Sequence, residues 1–221
     1  MWYVKACRIL AVMEIEMLDS SQANLFEPLD PIMTSETLDE LHSLVMECTR
    51  CPDLAEYRRL AVPGVGPVGA CVFFIGAAPA RWEDQQGEPF VGAAGVYLNE
   101  LLQEIGLERS RVFITNVVKC RPPDDRDLRA SEIRNCAPYL KRQLVLVDPD
   151  LVVLLGRVAL EWFFPEDKIT EVAGELRRKV IGRREFSFLP LLHPALGLRR
   201  EEMKVEIERQ FQRIREVLDE L

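Results

Sequence analysis

The sequence predicts an α/β fold: three layers, α/β/α, around a central four-stranded, mostly parallel sheet. Two observations carry this. Short apolar runs at residues 71–75, 112–118 and 151–155 read as strands buried on both faces. Amphipathic stretches alternate with them, the pattern of a sheet covered by helices on either side.

Composition narrows the class. With 221 residues, 48% of them hydrophobic, the chain can build one sizeable core. One domain of about 180–190 residues with a tail is the natural division. The formal net charge of −8 excludes a uniformly basic nucleic-acid binder, so any DNA contact must come from a local patch. No apolar run approaches the roughly 18 residues of a membrane helix. Lys5 and Arg8 precede a short apolar patch, but Glu14 and Glu16 follow at once without a cleavage pattern, which excludes a secretory signal. Six cysteines in such a chain suggest reduced thiols or metal ligands rather than disulfides.

Residues 1–33 read as an N-terminal extension, a disordered tail or an over-extended start with Met33 as the true beginning. Gln22-Ala23-Asn24-Leu25-Phe26 within it resembles the peptides that bind the bacterial sliding clamp. The domain proper spans 34–221. Its first helix, 34–47, is capped by Thr34 or Ser35 and carries Leu38, Leu41, Leu44 and Val45 on one stripe. His42 lies off the stripe, on a solvated face. Residues 58–70 form a loop in which Gly64-Val65-Gly66-Pro67-Val68-Gly69 matches a dinucleotide fingerprint by letter. It precedes a strand instead of following one, which argues against nucleotide binding.

The strand at 71–75 then breaks at Gly76 into a polar loop reaching Gly95, followed by a helix at 95–105. Such a loop, at the carboxyl end of a buried strand, is where open α/β sheets place ligands. The second strand, 112–118, leads to Lys119-Cys120-Arg121-Pro122-Pro123 and a helix at 130–147. The third strand, 151–155, ends at Gly156 before a short helix, 157–164. Residues 176–181 and 186–192, joined at Gly182, suggest a hairpin whose second arm is the last core strand, ending in His193-Pro194-Ala195. Residues 200–221 form the final helix, with its charged residues on a solvated face.

Cys48 and Cys51 form C-x-x-C; Cys120 directly follows a strand and Cys136 lies early in a helix. Four thiolates suit a tetrahedral zinc or a cubane iron–sulfur cluster, and spacing does not choose between them. Cys7 and Cys71 read as structurally neutral.

Together the motifs resemble the family 4 uracil-DNA glycosylases. They are Cys48-x-x-Cys51, Phe74-Ile75-Gly76-Ala77-Ala78-Pro79, Glu83-Asp84, Gly87-Glu88-Pro89-Phe90-Val91-Gly92-x-Ala94-Gly95, Thr115-Asn116-Val117-Val118-Lys119-Cys120-Arg121-Pro122-Pro123, Cys136 and His193-Pro194-Ala195. The resemblance implies a [4Fe-4S] cluster on Cys48, Cys51, Cys120 and Cys136 in preference to zinc. It also implies hydrolysis of the N-glycosidic bond of uracil in DNA for base excision repair, by a monomeric enzyme acting on the cytoplasmic nucleoid. A base inside a duplex is unreachable, so the nucleotide is flipped into a pocket. Phe90 is expected to stack on the base, Asn116 to read its amide edge, and His193 to donate to O2 as charge develops. Gly76, Ala77, Ala78 and Asp84 are the further substrate-binding positions, and Glu83 is the acid/base or water-positioning carboxylate. Lys119, Arg121, Arg126, Arg129, Arg199 and Arg200 are expected to contact phosphates.

The chain departs from this family at Ala77, where a glutamate is usual, and the loop Gly76-Ala77-Ala78-Pro79-Ala80 leans towards family 5, which accepts a broader range of deaminated bases. Asp125 stands where asparagine is common. The alternatives to a glycosylase are a non-catalytic binder of uracil-containing or damaged DNA, and a metal-stabilised scaffold docking on the clamp.

Overall fold

A computed structural model describes residues 30–221. Fifteen regular elements succeed one another: α1 (Pro31–Thr34), α2 (Leu38–Met46), α3 (Pro52–Tyr57), β1 (Val72–Gly76), α4 (Arg81–Gln86), α5 (Ala93–Glu104), β2 (Phe113–Asn116), α6 (Ala130–Val147), β3 (Leu151–Leu155), α7 (Arg157–Phe163), α8 (Ile169–Val172), β4 (Arg177–Ile181), β5 (Arg184–Leu191), α9 (Pro194–Arg199) and α10 (Lys204–Glu220).

The sheet runs β2-β1-β3-β5-β4. The first four strands are parallel, with Gly76 opposite Asn116, Phe73 opposite Val152 and Val153 opposite Leu189. The chain leaves β1 to one side for β2 and returns to its other side for β3, which opens a crevice at the carboxyl ends. Alternate side chains of the strands feed two cores. Phe73, Ile75, Phe113, Val152, Leu154 and Phe188 pack with residues of α2, α6 and α7. Val72, Phe74, Ile114, Val153, Leu155 and Leu189 pack with α5 and α10. The expected three layers are therefore present.

The sheet has five strands, not the four expected. β4, the first arm of the hairpin, pairs antiparallel with β5 and extends the sheet. Its Arg177, Arg178 and Lys179 make it a charged edge, which blocks further pairing and gives no core-strand signal. The opposite edge, β2, is capped by the 58–70 loop through a bridge between Val65 and Ile114. Gly66 lies so close to that strand that a Cβ would run into the Val112 carbonyl.

Two further positions differ from expectation. The packed chain reaches back to residue 30, inside the stretch assigned to the extension: Asp30 caps α1, pairs with Arg50 at 2.7 Å, and Ile32 is buried in the core. The clamp-like segment Gln22–Phe26 lies outside the described residues. His42 is half-buried with its Nε2 unpartnered, and burial lowers its pKa.

Candidate active site and cysteine cavity

Gly76 closes β1 beside Asn116, the last residue of β2. A Cβ on Gly76 would strike the Asn116 Oδ1 and come within 2.8 Å of the Phe90 ring. This glycine is thus required by the close approach of two side chains. Asn116 is only 2% exposed, and its side-chain amide has no hydrogen-bond partner among the described residues. An amide left without a protein partner at the mouth of a crevice is available to a ligand. Its own backbone carbonyl is gripped by Lys119 Nζ at 2.6 Å, which also donates to Thr115 Oγ1 (2.6 Å) and Gln143 Oε1 (2.7 Å). Lys119 was expected at a phosphate; instead it is 1% exposed with all three donors engaged.

Phe90 is buried at φ +52°, a strained conformation for an aromatic residue. Its carbonyl lies so close to Gly95 that any side chain there would collide. The flanking amides of Val91 and Gly92 donate to Glu83 Oε1 at 3.0 and 2.9 Å, and Ala80 N donates to Glu83 Oε2 at 3.2 Å. Glu83 therefore has both oxygens on backbone amides that shape the Phe90 loop. Asp84 faces the other way: its Oδ1 accepts from the amides of Arg59 (2.9 Å) and Leu60 (3.4 Å). Both carboxylates sit on α4, a helix inside the stretch read from the sequence as loop. Ala77 and Ala78 are half-buried beside Gly76, and the Ala77 carbonyl accepts from Val118 N at 3.0 Å.

His193 follows β5 and starts α9. Its Nδ1 accepts from Ala195 N at 3.1 Å, which leaves the proton on Nε2. Its ring stacks on Phe90 with centroids 5.6 Å apart. Burial, reinforced by Arg199, pushes its pKa down to about 4. At neutral pH it is an uncharged imidazole with one N–H to offer.

Cys48, Cys51, Cys120 and Cys136 line one cavity with Arg58, Asn135, Leu54 and Val118. Each of three sulfurs already has a donor: Arg58 Nη1 to Cys120 (2.8 Å), Lys119 N to Cys136 (3.3 Å) and Asn135 Nδ2 to Cys51 (3.5 Å). Burial, with a lesser contribution from Cys120 and Cys48, pushes the Cys136 thiol up to about 12, so a cationic centre is what would ionise it. Among the described residues no three His, Cys, Asp or Glu side chains converge closely enough for a single ion. Four thiols around one cavity are a donor set that suits a tetrahedral zinc or a cubane iron–sulfur cluster.

The arginines divide into two kinds. Arg121 pairs with Asp125, Arg126 with Glu132 and Arg129 with Asp53, at 2.7, 2.6 and 2.7 Å. These were expected at phosphates and are held by carboxylates. Arg199 and Arg200 are exposed with no ion pair among the described residues. Asp125 has φ +53°, a conformation that aspartate and asparagine both tolerate. Sequence reading passed over Arg58, which has no motif, and Arg81-Trp82, which sits in the presumed loop.

The family model described as the uracil DNA glycosylase superfamily matches residues 63–221. Over 188 residues the chain is 40% identical to the type-4 uracil-DNA glycosylase of Sulfurisphaera tokodaii, covering 82% of this chain and 85% of the relative. Over 187 residues it is 41% identical to the type-4 uracil-DNA glycosylase of Archaeoglobus fulgidus, covering 82% and 94%. No described helix is long and apolar enough to cross a membrane. On its sequence match and its crevice alike, the chain belongs to the uracil DNA glycosylase superfamily.

Proposed function

We propose that this protein is a uracil-DNA glycosylase that hydrolyses the N-glycosidic bond of uracil in DNA. The observation that carries this is the side-chain amide of Asn116, nearly buried at the carboxyl end of the sheet beside the Phe90 ring and without a hydrogen bond to the described residues. That amide offers a donor and an acceptor to the edge of uracil; cytosine would present the reverse pattern. Phe90 supplies an aromatic face for the extruded base. His193, neutral with its proton on Nε2, donates to the uracil O2 as negative charge develops on the leaving base.

Glu83 acts by position and charge. Its oxygens are engaged by three backbone amides, so it fixes Phe90, and its charge is felt at His193. A negative charge there favours the positive character that the sugar acquires as the bond breaks. Such a dissociative path makes little demand on a base, which suits a site with Ala77 in place of glutamate. Asp84 keeps α4 in place through the 59–60 backbone. Gly76, Ala77 and Ala78 form the backbone floor beneath the base.

Cys48, Cys51, Cys120 and Cys136, which line one cavity, would hold a [4Fe-4S] cluster, as the resemblance implies. Such a cluster supplies a covalent tie between four distant chain segments. Arg199 and Arg200 contact phosphates of the DNA. The protein works as a monomer on DNA of the cytoplasm, and Gln22–Phe26 is a docking peptide for the sliding clamp.

The test is base release from a uracil-containing oligonucleotide by cluster-loaded protein, read as alkali-labile strand breakage. Release supports the reading. No release from single- or double-stranded substrate overturns it, and binding retained in that case would favour a non-catalytic reader of damaged DNA.

A further inference from the structure

One flank of the crevice carries Arg199 of α9, whose charge is felt at His193; a second carries Arg81 and Trp82, which open α4 beside the Phe90 loop. The second flank has no assigned role. Trp82 is 55% exposed, although burial of an indole is among the larger apolar gains available to a chain. Its side chain lies against Gly92, within 3.4 Å of where a Cβ would stand there, and so borders the loop that carries Phe90. The Arg81 guanidinium sits over the indole ring, 6.0 Å from its centroid. Arg59 joins this flank because its backbone amide is bound to Asp84 of the same helix.

Charge sharpens the point. The arginines of the segment after β2 are neutralised by carboxylates. Arg59 and Arg81 are exposed and have no ion pair among the described residues, in a chain of net charge −8. The platform is also rigid. Glu83 ties α4 to residues 91 and 92, and Asp84 ties it to residues 59 and 60. An exposed indole with unpaired arginines on a fixed support is the arrangement that holds single-stranded nucleic acid, by stacking on a base and neutralising phosphates.

We propose that Trp82, with Arg81 and Arg59, forms a second DNA-binding subsite: Trp82 stacks on a base neighbouring the extruded nucleotide, and the two arginines bind the phosphates of that strand. The subsite deepens the glycosylase reading and rests on it for the identity of the strand. The two flanks together hold the strand at the pocket.

The probe is a fluorescent single-stranded oligonucleotide carrying one abasic-site analogue, titrated with cluster-loaded full-length protein at several salt concentrations. Trp82→Ala should weaken binding by about five- to a hundredfold, with Trp82→Phe retaining most of the affinity. Arg81→Ala should make the slope of log affinity against log salt shallower by about 0.7. Binding should quench tryptophan fluorescence in the unmodified protein and far less in Trp82→Phe. Unchanged affinity and quenching in the two Trp82 variants would overturn the stacking role, and an unchanged salt slope in Arg81→Ala would overturn the phosphate role. Uracil release by the unmodified protein is scored separately. Release with no Trp82 effect sinks the subsite alone; a Trp82 effect without release sinks the glycosylase reading and leaves the subsite standing.

Discussion

Phe90 and His193 stack on each other, with ring centroids 5.6 Å apart and planes 23° from parallel. One ring comes from the loop after α4 and the other from the end of β5. Neither is free to drift: Glu83 binds the amides beside Phe90, and Ala195 N binds the His193 Nδ1. The base-stacking wall and the hydrogen-bond donor are thereby set in one geometry before DNA arrives, which is how a site avoids reorganisation at the moment of reaction.

Phe90→Leu keeps apolar bulk but removes the aromatic face. Base release should fall roughly five- to a hundredfold, the scale of losing one base–aromatic stack. The check is single-turnover release of uracil. A rate equal to that of the unmodified protein would show that the base stacks elsewhere.

Glu83→Gln replaces one acceptor oxygen by an NH2 that cannot accept from a backbone N–H. At least one of the amides of Ala80, Val91 and Gly92 then loses its partner in a buried place, at a cost of about 1–3 kcal/mol. We expect a lower melting temperature together with slower base release, because the Phe90 loop loosens. A variant as stable as the parent but inactive would instead mark Glu83 as a group acting directly on water or sugar.

The pH profile separates two forms of His193. Its pKa is depressed from 6.5 to about 4 in the folded protein, so the neutral donor persists at mildly acid pH. Base release should stay level from neutrality down to about pH 5, then fall as His193 titrates. A rate that rises on acidification with a midpoint near 6.5 would mean that imidazolium is the donor. Stability follows the same linkage. The unfolded chain takes up this proton at higher pH than the folded one, so His193 contributes to a loss of stability as pH falls from about 6.5 to 4.

Cys136→Ser should abolish the brown colour of an iron–sulfur protein and lower the yield of folded protein, because α6 loses its tie to the other cysteine segments. Iron and acid-labile sulfide should each measure about four per chain in the unmodified protein. A colourless protein with one zinc per chain would overturn the cluster assignment.

The tight packing that Lys119 completes was not legible in the sequence. A lysine beside Pro-Pro and arginines reads as a surface cation, and only the convergence of Thr115, Gln143 and the Asn116 carbonyl turns it inward. Arg121, Arg126 and Arg129 read the same way, and their carboxylate partners are settled by loop geometry. The short α4 has no apolar period. It forms because Glu83 and Asp84 anchor it to two other loops.

What the sequence determined by itself is what depends on short-range order. Three of the four parallel strands are short apolar runs, the glycine at 76 and the motifs around Asn116 and His193 end strands, and Cys48 and Cys51 stand in a readable spacing. What only the tertiary structure decided is which groups meet. The hairpin arm β4 joined the sheet as a fifth strand, the carboxylates of α4 found backbone amides far along the chain, and the arginines after β2 met carboxylates while Arg59 and Arg81 beside Trp82 did not. Those choices depend on distances between residues remote in sequence, and such distances exist only once the sheet has brought its carboxyl ends to one edge.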